Sequence, residues 1–288
     1  MLNINTNYAA SFAANAAKQT SRGLDSAMEK LSSGSRINYA KDDAAGQAIS
    51  TRLTAEVQGL AMASRNASDG QSLIDTADGA LAESHNLLLR MRELAVQSAN
   101  GTMATSDRAA LDAEVGQLVS EVERIAQNTT WAGNNLLEGN SFTFQVGTAN
   151  STASKITIGV DDARAIALGL ATDDGTVNNG DFDATEVRAV GVANQAAAQS
   201  AIDTIDTAIG KVSAARAELG AYSNRLSSTM ANLDQIAVNL ASSNGRIQDT
   251  DFAAETSNLA KNQILQQAAT AMLAQANASK NSILTLVS

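Results

Sequence analysis

The sequence predicts a mainly α fold in which long antiparallel coiled-coil helices from both chain ends form a rod, with a small β-hairpin region. Three observations carry this. From Ile202 to Leu240 apolar residues recur at steps of three, four or seven: Ile202, Ile205, Ile209, Val212, Leu219, Leu226, Met230, Leu233, Ala237 and Leu240. A seam that long needs a long partner, and the N-terminal half supplies one, since Leu87, Met91 and Leu94, then Leu111, Val115, Leu118, Val122 and Ile125, keep the same spacing. Finally, 288 residues contain no proline, where about 5% is usual, so nothing in the chain forces a helix to stop.

The elements follow in order. Residues 4 to 31 are alanine-rich and weakly amphipathic, with Ile4, Tyr8, Phe12, Leu24, Met28 and Leu31 as the larger apolar side chains. Ser32-Ser33-Gly34 ends that helix, because glycine adopts the left-handed conformation that closes one. Asp42-Asp43 caps the next, its carboxylate accepting from free backbone N–H groups, and the helix runs to about Asn100-Gly101. Another starts at Ser106-Asp107 and ends in the Asn128 to Asn135 cluster. After Gly139-Asn140 the period becomes two: Phe142, Phe144 and Val146, then Ile156, Ile158 and Val160, which predicts a hairpin across a Gly/Ser/Thr/Asn-rich turn. Residues 161 to 192 are acidic, with turn signals at Asp173-Asp174-Gly175 and Asn178-Asn179-Gly180, and read as an exposed loop. The helical pattern returns at Asn194 and continues, with an interruption expected at Ser243-Asn244-Gly245, to the C-terminus. There Leu265, Ala268, Met272, Ala276, Ser279, Ile283 and Leu286 form a slim face.

Composition excludes much. With 3% aromatics the core is thin, and with no cysteine neither disulfides nor thiol chemistry contribute, leaving packing or assembly to stabilise the chain. The net charge of −10 argues against a nucleic-acid partner. No apolar run near the start resembles a secretory or membrane segment, so membrane insertion is not expected and export needs another route. His85 has neither a second histidine nor a cysteine to complete a metal site, and reads as structural. Asp173, Asp174, Asp181, Asp183 and Glu186 miss the EF-hand pattern and read as a solvated loop. No G-x-S-x-G, Walker A or H-E-x-x-H run occurs, so neither an enzyme nor a cofactor is expected.

Long motifs at both ends carry a resemblance. Lys30-Leu31-Ser32-Ser33-Gly34-Ser35-Arg36-Ile37-Asn38, the run Ala40 to Ile49, and Arg90 to Asn100 resemble the N-terminal signature of bacterial flagellins. Asn262 to Ala268 and Leu273 to Asn277 resemble that family's C-terminal signature. The match covers about 1 to 160 and 195 to 288, and it departs from the family in having no proline at 277 to 281, where many relatives carry one.

The resemblance implies a subunit that self-assembles into the helical flagellar filament, an extracellular structure used for motility. It implies three parts: inner core helices at 1–44 and 245–288 that are disordered in the monomer, an α-helical domain at 45–160 and 193–244 with its hairpin near 142–160, and a short variable outer segment at 161–192. Self-assembly falls to Leu31, Arg36, Ile37 and Asn38 at one end and to Leu265, Met272, Ile283 and Leu286 at the other. Export unfolded through the flagellar type III channel is implied, as are a chaperone for the C-terminal helix and contacts with filament cap and hook-associated proteins. Arg90, Leu94 and Glu114 match positions contacted by the animal Toll-like receptor that senses flagellin, and are expected on an exposed helical surface. Two alternatives fit the same pattern, a hook-filament junction protein and a flagellin-like cell-surface adhesin.

Overall fold

The computed structural model describes residues 6–171 and 189–287, the last eight of these as backbone alone. The turn signals and acidic cluster between Asp173 and Glu186 lie outside the described residues, as does Ile4. The fold is mainly α, with long helices from both ends. Helices α1 (Tyr8–Ser33), α2 (Ala44–Ser98) and α3 (Thr105–Asn128) precede two small antiparallel pairs, β1 (Thr130–Trp131) with β2 (Asn134–Asn135) and β3 (Ser141–Gln145) with β4 (Lys155–Gly159). A short α4 (Ala165–Leu168) and the long α5 (Gln195–Gln248) and α6 (Phe252–Val287) complete the chain.

Packing divides the chain into two units, one of residues 1–57 and 238–288 and the other of residues 58–237. Both divisions fall inside α2 and α5.

In the second unit α2 buries an unbroken heptad seam. Leu60, Ala67, Ile74, Leu81, Leu88 and Ala95 occupy one position of the repeat, while Ala63, Gly70, Ala77, Ser84, Met91 and Ser98 occupy the other. Opposite it α5 buries Ala198, Ile205, Val212, Leu219, Leu226 and Leu233, again seven apart, with Ala201, Ala208 and Ala215 beside them. The expected knobs Ile202, Ile209 and Met230 flank this seam only partly buried. Small residues let the backbones approach, so the true seam is slimmer than one picked by side-chain size. Polar pairs fix an antiparallel register: Arg216 Nε donates to Asp78 at 2.7 Å, Gln71 Nε2 to Ser223 Oγ at 2.8 Å and Arg92 Nε to Asp206 at 2.6 Å.

On α3 the buried face is Val115, Val119, Val122 and Ala126. Arg108, 7% exposed, donates to the Asn100 carbonyl at 2.7 Å and so ties α3 to the end of α2. The predicted hairpin forms, with Phe142 opposite Ile158 and Phe144 opposite Ile156. It seats on α2, where Asn66 Nδ2 donates to the Gln145 carbonyl at 2.9 Å and where Gly70 leaves room for Phe144 and Leu226. The β1–β2 turn passes through Ala132 (φ 50) and Gly133 (φ 83), a tight turn inside the asparagine cluster.

Two expectations are corrected. Helix α5 runs through Ser243-Asn244-Gly245 to Gln248, because pairing with α2 (Asn244 Nδ2 to Thr54 Oγ1, 3.1 Å; Ser50 Oγ to Gln248, 2.9 Å) outweighs the roughly 1 kcal/mol helix cost of one glycine. The break comes instead at Asp249 to Asp251, where Asp251 Oδ1 accepts from the N–H groups of Ala253 and Ala254 and starts α6. Nor is the described part of 161–192 an exposed loop. Val190 and Val192 are buried with Ala163, Ala165, Leu168, Leu170 and Ala171. Glu123, 4% exposed, accepts from the Ala165 N–H at 2.6 Å and holds α4 in place.

Candidate assembly surface and the Arg90 to Glu114 patch

In the first unit α1 and α6 pack antiparallel. Asn7 caps α1 by accepting from the Ala10 N–H, and its Nδ2 donates to the Ala276 carbonyl at 3.2 Å; further along, Gly23 lies against Asn262. The face that α6 turns away from solvent recurs as Leu259, Asn262, Gln266, Ala269, Leu273 and Ala276, in which two leucines stand among alanine and amide side chains. Among the described side chains, only Ala13 and Ala27 on α1 and Ala269 on α6 are buried.

The larger apolar side chains are elsewhere. Leu265 and Met272 are 45% and 64% exposed, Tyr8 and Phe12 are 67% and 78% exposed, and Met28, Phe252 and Ile264 are also out in solvent. Leu265 and Met272, two of the residues expected to serve self-assembly, lie off the face that meets α1. Phe12, Leu265 and Met272 line an apolar groove of about 440 Å³ together with Ala13, Ala269 and Thr20. A monomer rarely leaves so many large apolar residues in water along one helix pair without a partner for them.

The break after α1 and the break before α6 clasp each other. Gly34 (φ 69) closes α1 in the left-handed conformation, and Ser35 bridges Asp249. The Arg36 N–H donates to the Gln248 carbonyl at 2.6 Å, its guanidinium to the Ile247 carbonyl at 2.7 Å, and the Thr250 N–H to the Gly34 carbonyl at 3.0 Å. Ile37 is 3% exposed, and Asn38 donates to the Ser35 carbonyl. Arg36, Ile37 and Asn38 therefore all make contacts within the chain, while Leu31 is half-buried. The side chains of Ile283 and Leu286 lie outside the described ones.

The two aspartates after this loop divide the work. Asp43 caps α2 through the Gly46 N–H at 2.8 Å. Asp42 accepts from the Tyr39 N–H at 3.0 Å and the Asn38 N–H at 3.2 Å, and these donors hold its carboxyl below the usual range. Tyr39 is raised by the Glu29 carboxylate that its hydroxyl faces, and Lys41 sits 4.7 Å from its ring centroid.

On the second unit, Arg90 on α2 and Glu114 on α3 form an exposed ion pair at 2.8 Å, with Glu93 on the other side of the guanidinium at 3.2 Å. Both carboxylates raise the arginine pKa, Glu114 foremost. Arg90 and Glu114 are thus together on the surface, as expected. Leu94 is not: it is 1% exposed and belongs to the core. Leu73 and Leu94 are buried beside the heptad seam, in the core cluster that also holds Val115, Val119 and Val122 of α3. The exposed apolar neighbours on α2 are Leu89 and Val96, which sequence reading passed over. Subtracting the seam positions from the apolar residues of each helix isolates these, as it does Phe12 and Ile264.

Among the described residues no group of three His, Asp or Glu is placed to hold a metal ion, and no helix is long and apolar enough to cross a membrane.

Comparison with known proteins bears on the whole of this arrangement. Residues 4–141 match the model of the bacterial flagellin N-terminal helical region, and residues 202–287 that of the C-terminal helical region. A flagellin of Halalkalibacterium halodurans is 45% identical over 263 residues, covering 91% of this chain and 90% of that one. Flagellin FlaB2 of Treponema pallidum is 40% identical over 99% of both chains. Flagellin A of Vibrio cholerae is 35% identical over an alignment of 379 positions that spans 99% of both, so it carries segments this chain lacks. Among solved structures, the Bacillus cereus flagellin is 32% identical and covers 62% of this chain and 94% of that one, with a TM-score of 0.47. A chain assigned as a flagellar hook-associated protein of Vibrio parahaemolyticus has a TM-score of 0.56 over 72% of this chain at 15% identity, a likeness of fold alone. On these matches and on its paired terminal helices, the chain belongs to the bacterial flagellins, structural subunits of the flagellar filament, and is a short member without a large variable domain.

Proposed function

We propose that this flagellin polymerises through the apolar sides of α1 and α6 that its own packing leaves uncovered. The carrying observation is the pair of faces on α6: a thinly buried seam against α1, built on Leu259, Ala269 and Leu273, and a second apolar face, with Leu265 and Met272, in solvent. One chain with unlike surfaces front and back makes heterologous contacts, which repeat into an open helix when the rotation does not close. The slim α1–α6 seam stabilises an isolated pair weakly, so the ends order fully when neighbours cover them, and the ordering entropy is offset by burial between subunits. A chain that stays loose until then suits export in unfolded form through the flagellar type III channel, with a chaperone covering the exposed face of α6 on the way. Cap and hook-associated proteins meet the same terminal helices at the two ends of the filament.

A polymerisation assay tests the proposal. Phe12→Asp combined with Met272→Asp changes only exposed side chains, so helicity and unfolding should match the parent. Sedimentation and electron microscopy should then show soluble subunits and no long filaments. Filaments formed at the parental rate would overturn the proposal.

The released subunit is further proposed to bind the Toll-like receptor through Arg90 and Glu114, with Leu94 supporting them from beneath rather than touching the receptor. Substituting Arg90→Ala and Glu114→Ala together should lower monomer signalling at unchanged stability, and undiminished signalling would count against the assignment.

A further inference from the structure

We infer that Asn100-Gly101 is a site of spontaneous deamidation, an ageing mark built into the turn between α2 and α3. Three Asn-Gly pairs occur in the sequence: 100–101, 179–180 and 244–245. The middle one lies outside the described residues, and the other two stand in opposite settings.

The reaction needs the backbone nitrogen after the asparagine to reach the side-chain carbonyl carbon. At 100–101 both residues are exposed and outside any helix. Among the described residues the Gly101 N–H donates no hydrogen bond, so the nucleophile is not engaged. The Asn100 amide is held only through Oδ1, which accepts from the Thr102 N–H at 3.2 Å. Glycine adds no side chain to hinder the approach. At 244–245 the same dipeptide is inside α5, where helical geometry commits the Gly245 N–H to a carbonyl one turn back and the Asn244 Nδ2 donates to Thr54 Oγ1.

Chemically, the Gly101 nitrogen gives its proton to solvent base and bonds to Asn100 Cγ. The Cγ–Nδ2 bond then breaks, the nitrogen takes up a proton, and ammonia leaves. The succinimide that remains is opened by water at either carbonyl, giving aspartate or isoaspartate. No oxidant or reductant takes part. The product matters because the Asn100 carbonyl receives both the Arg108 guanidinium at 2.7 Å and the Met103 N–H at 3.3 Å. Isoaspartate inserts a carbon into the backbone there, so the carbonyl moves off the nearly buried arginine, and either product adds a negative charge at the carbonyl end of α2, where the helix dipole disfavours it.

The test incubates the full-length protein at mildly alkaline pH and follows each asparagine by peptide mass and fragmentation, with isoaspartyl methyltransferase labelling as a second readout. Asn100 should convert at least about tenfold faster than Asn244, equivalent to about 1.4 kcal/mol of helix opening. Gly101→Ala should fold normally, since a Cβ there meets nothing closer than Gln195 Nε2 at 3.9 Å, and should slow conversion at Asn100 alone. Equal rates at Asn100 and Asn244, or a Gly101→Ala protein that ages as fast as the parent, would overturn the inference.

Discussion

Leu94 and Arg90 sit one helical turn apart on α2 and face opposite worlds, one at 1% exposure and the other half in water. A Leu94→Ala substitution removes buried methyl groups and leaves a cavity, and is expected to cost about 2–5 kcal/mol in urea unfolding. Arg90→Ala, which loses only an exposed, solvent-screened ion pair, should cost far less in the same measurement. Any assay of receptor binding on a Leu94 variant therefore needs its stability read first. Asp162 offers a contrast in charge. Burial pushes its carboxyl up, but the Arg164 side chain and backbone N–H bonded to it at 2.6–3.2 Å prevail and hold it below its ordinary value. A carboxyl depressed in the folded state contributes stability above its unfolded value, near about 3.9, and loses it as pH falls through the folded value. Relative to Asp162→Asn, the parent should thus be more stable at neutral pH, and the difference should vanish in strong acid.

At the scale of elements, much was legible and the misses share causes. The ends of α1 and α3, the start of α2 and the β3–β4 hairpin were readable because each is set by local chemistry: Gly34, Asp43 and strict alternation from Phe142. The α5 heptad was readable in its large knobs Ile205, Val212, Leu219, Leu226 and Leu233 but not in its small ones, because alanine at 198, 201, 208 and 215 is invisible to an eye weighing side-chain size. A glycine at 245 suggested a break that tertiary pairing overrides. The burial of 163–171 and 189–192 had no periodic signal, since α4 is only four residues long and is fixed by a carboxylate from α3. Two glycine tests follow. Gly70→Leu would drive its side chain into Leu226 and Phe144, within 3.4 Å of a Cβ there, and should cost about 1–3 kcal/mol while lowering amide protection in β3–β4. Conversely, Ala132→Gly relieves a left-handed alanine at φ 50 and should raise stability by up to about 1 kcal/mol in thermal unfolding.

For the whole molecule the expectation concerns order before and after assembly. Hydrogen exchange on the monomer should find residues 6–30 and 260–279 far less protected than 60–98 and 198–233, whose seams are fully buried. In filaments the terminal segments should slow markedly, and strong protection of both ends already in the monomer would remove the ordering step from the proposed mechanism. The weak amphipathicity of the ends is what carries this expectation in the sequence. Which side of α6 stays bare was not legible there, because a helix read alone does not say which of its faces its own chain will claim.

The seam between α2 and α5 is a zip fastener with nearly identical teeth, and a zip can close one notch out of step. Sliding by seven residues would still set aliphatic against aliphatic, yet it would carry Arg216 away from Asp78, Arg92 from Asp206 and Gln71 from Ser223. Those three pairs, each weak as an attraction, serve as index marks. They ensure that every copy of the chain closes at the same notch, without which a lattice of thousands could not keep a constant pitch.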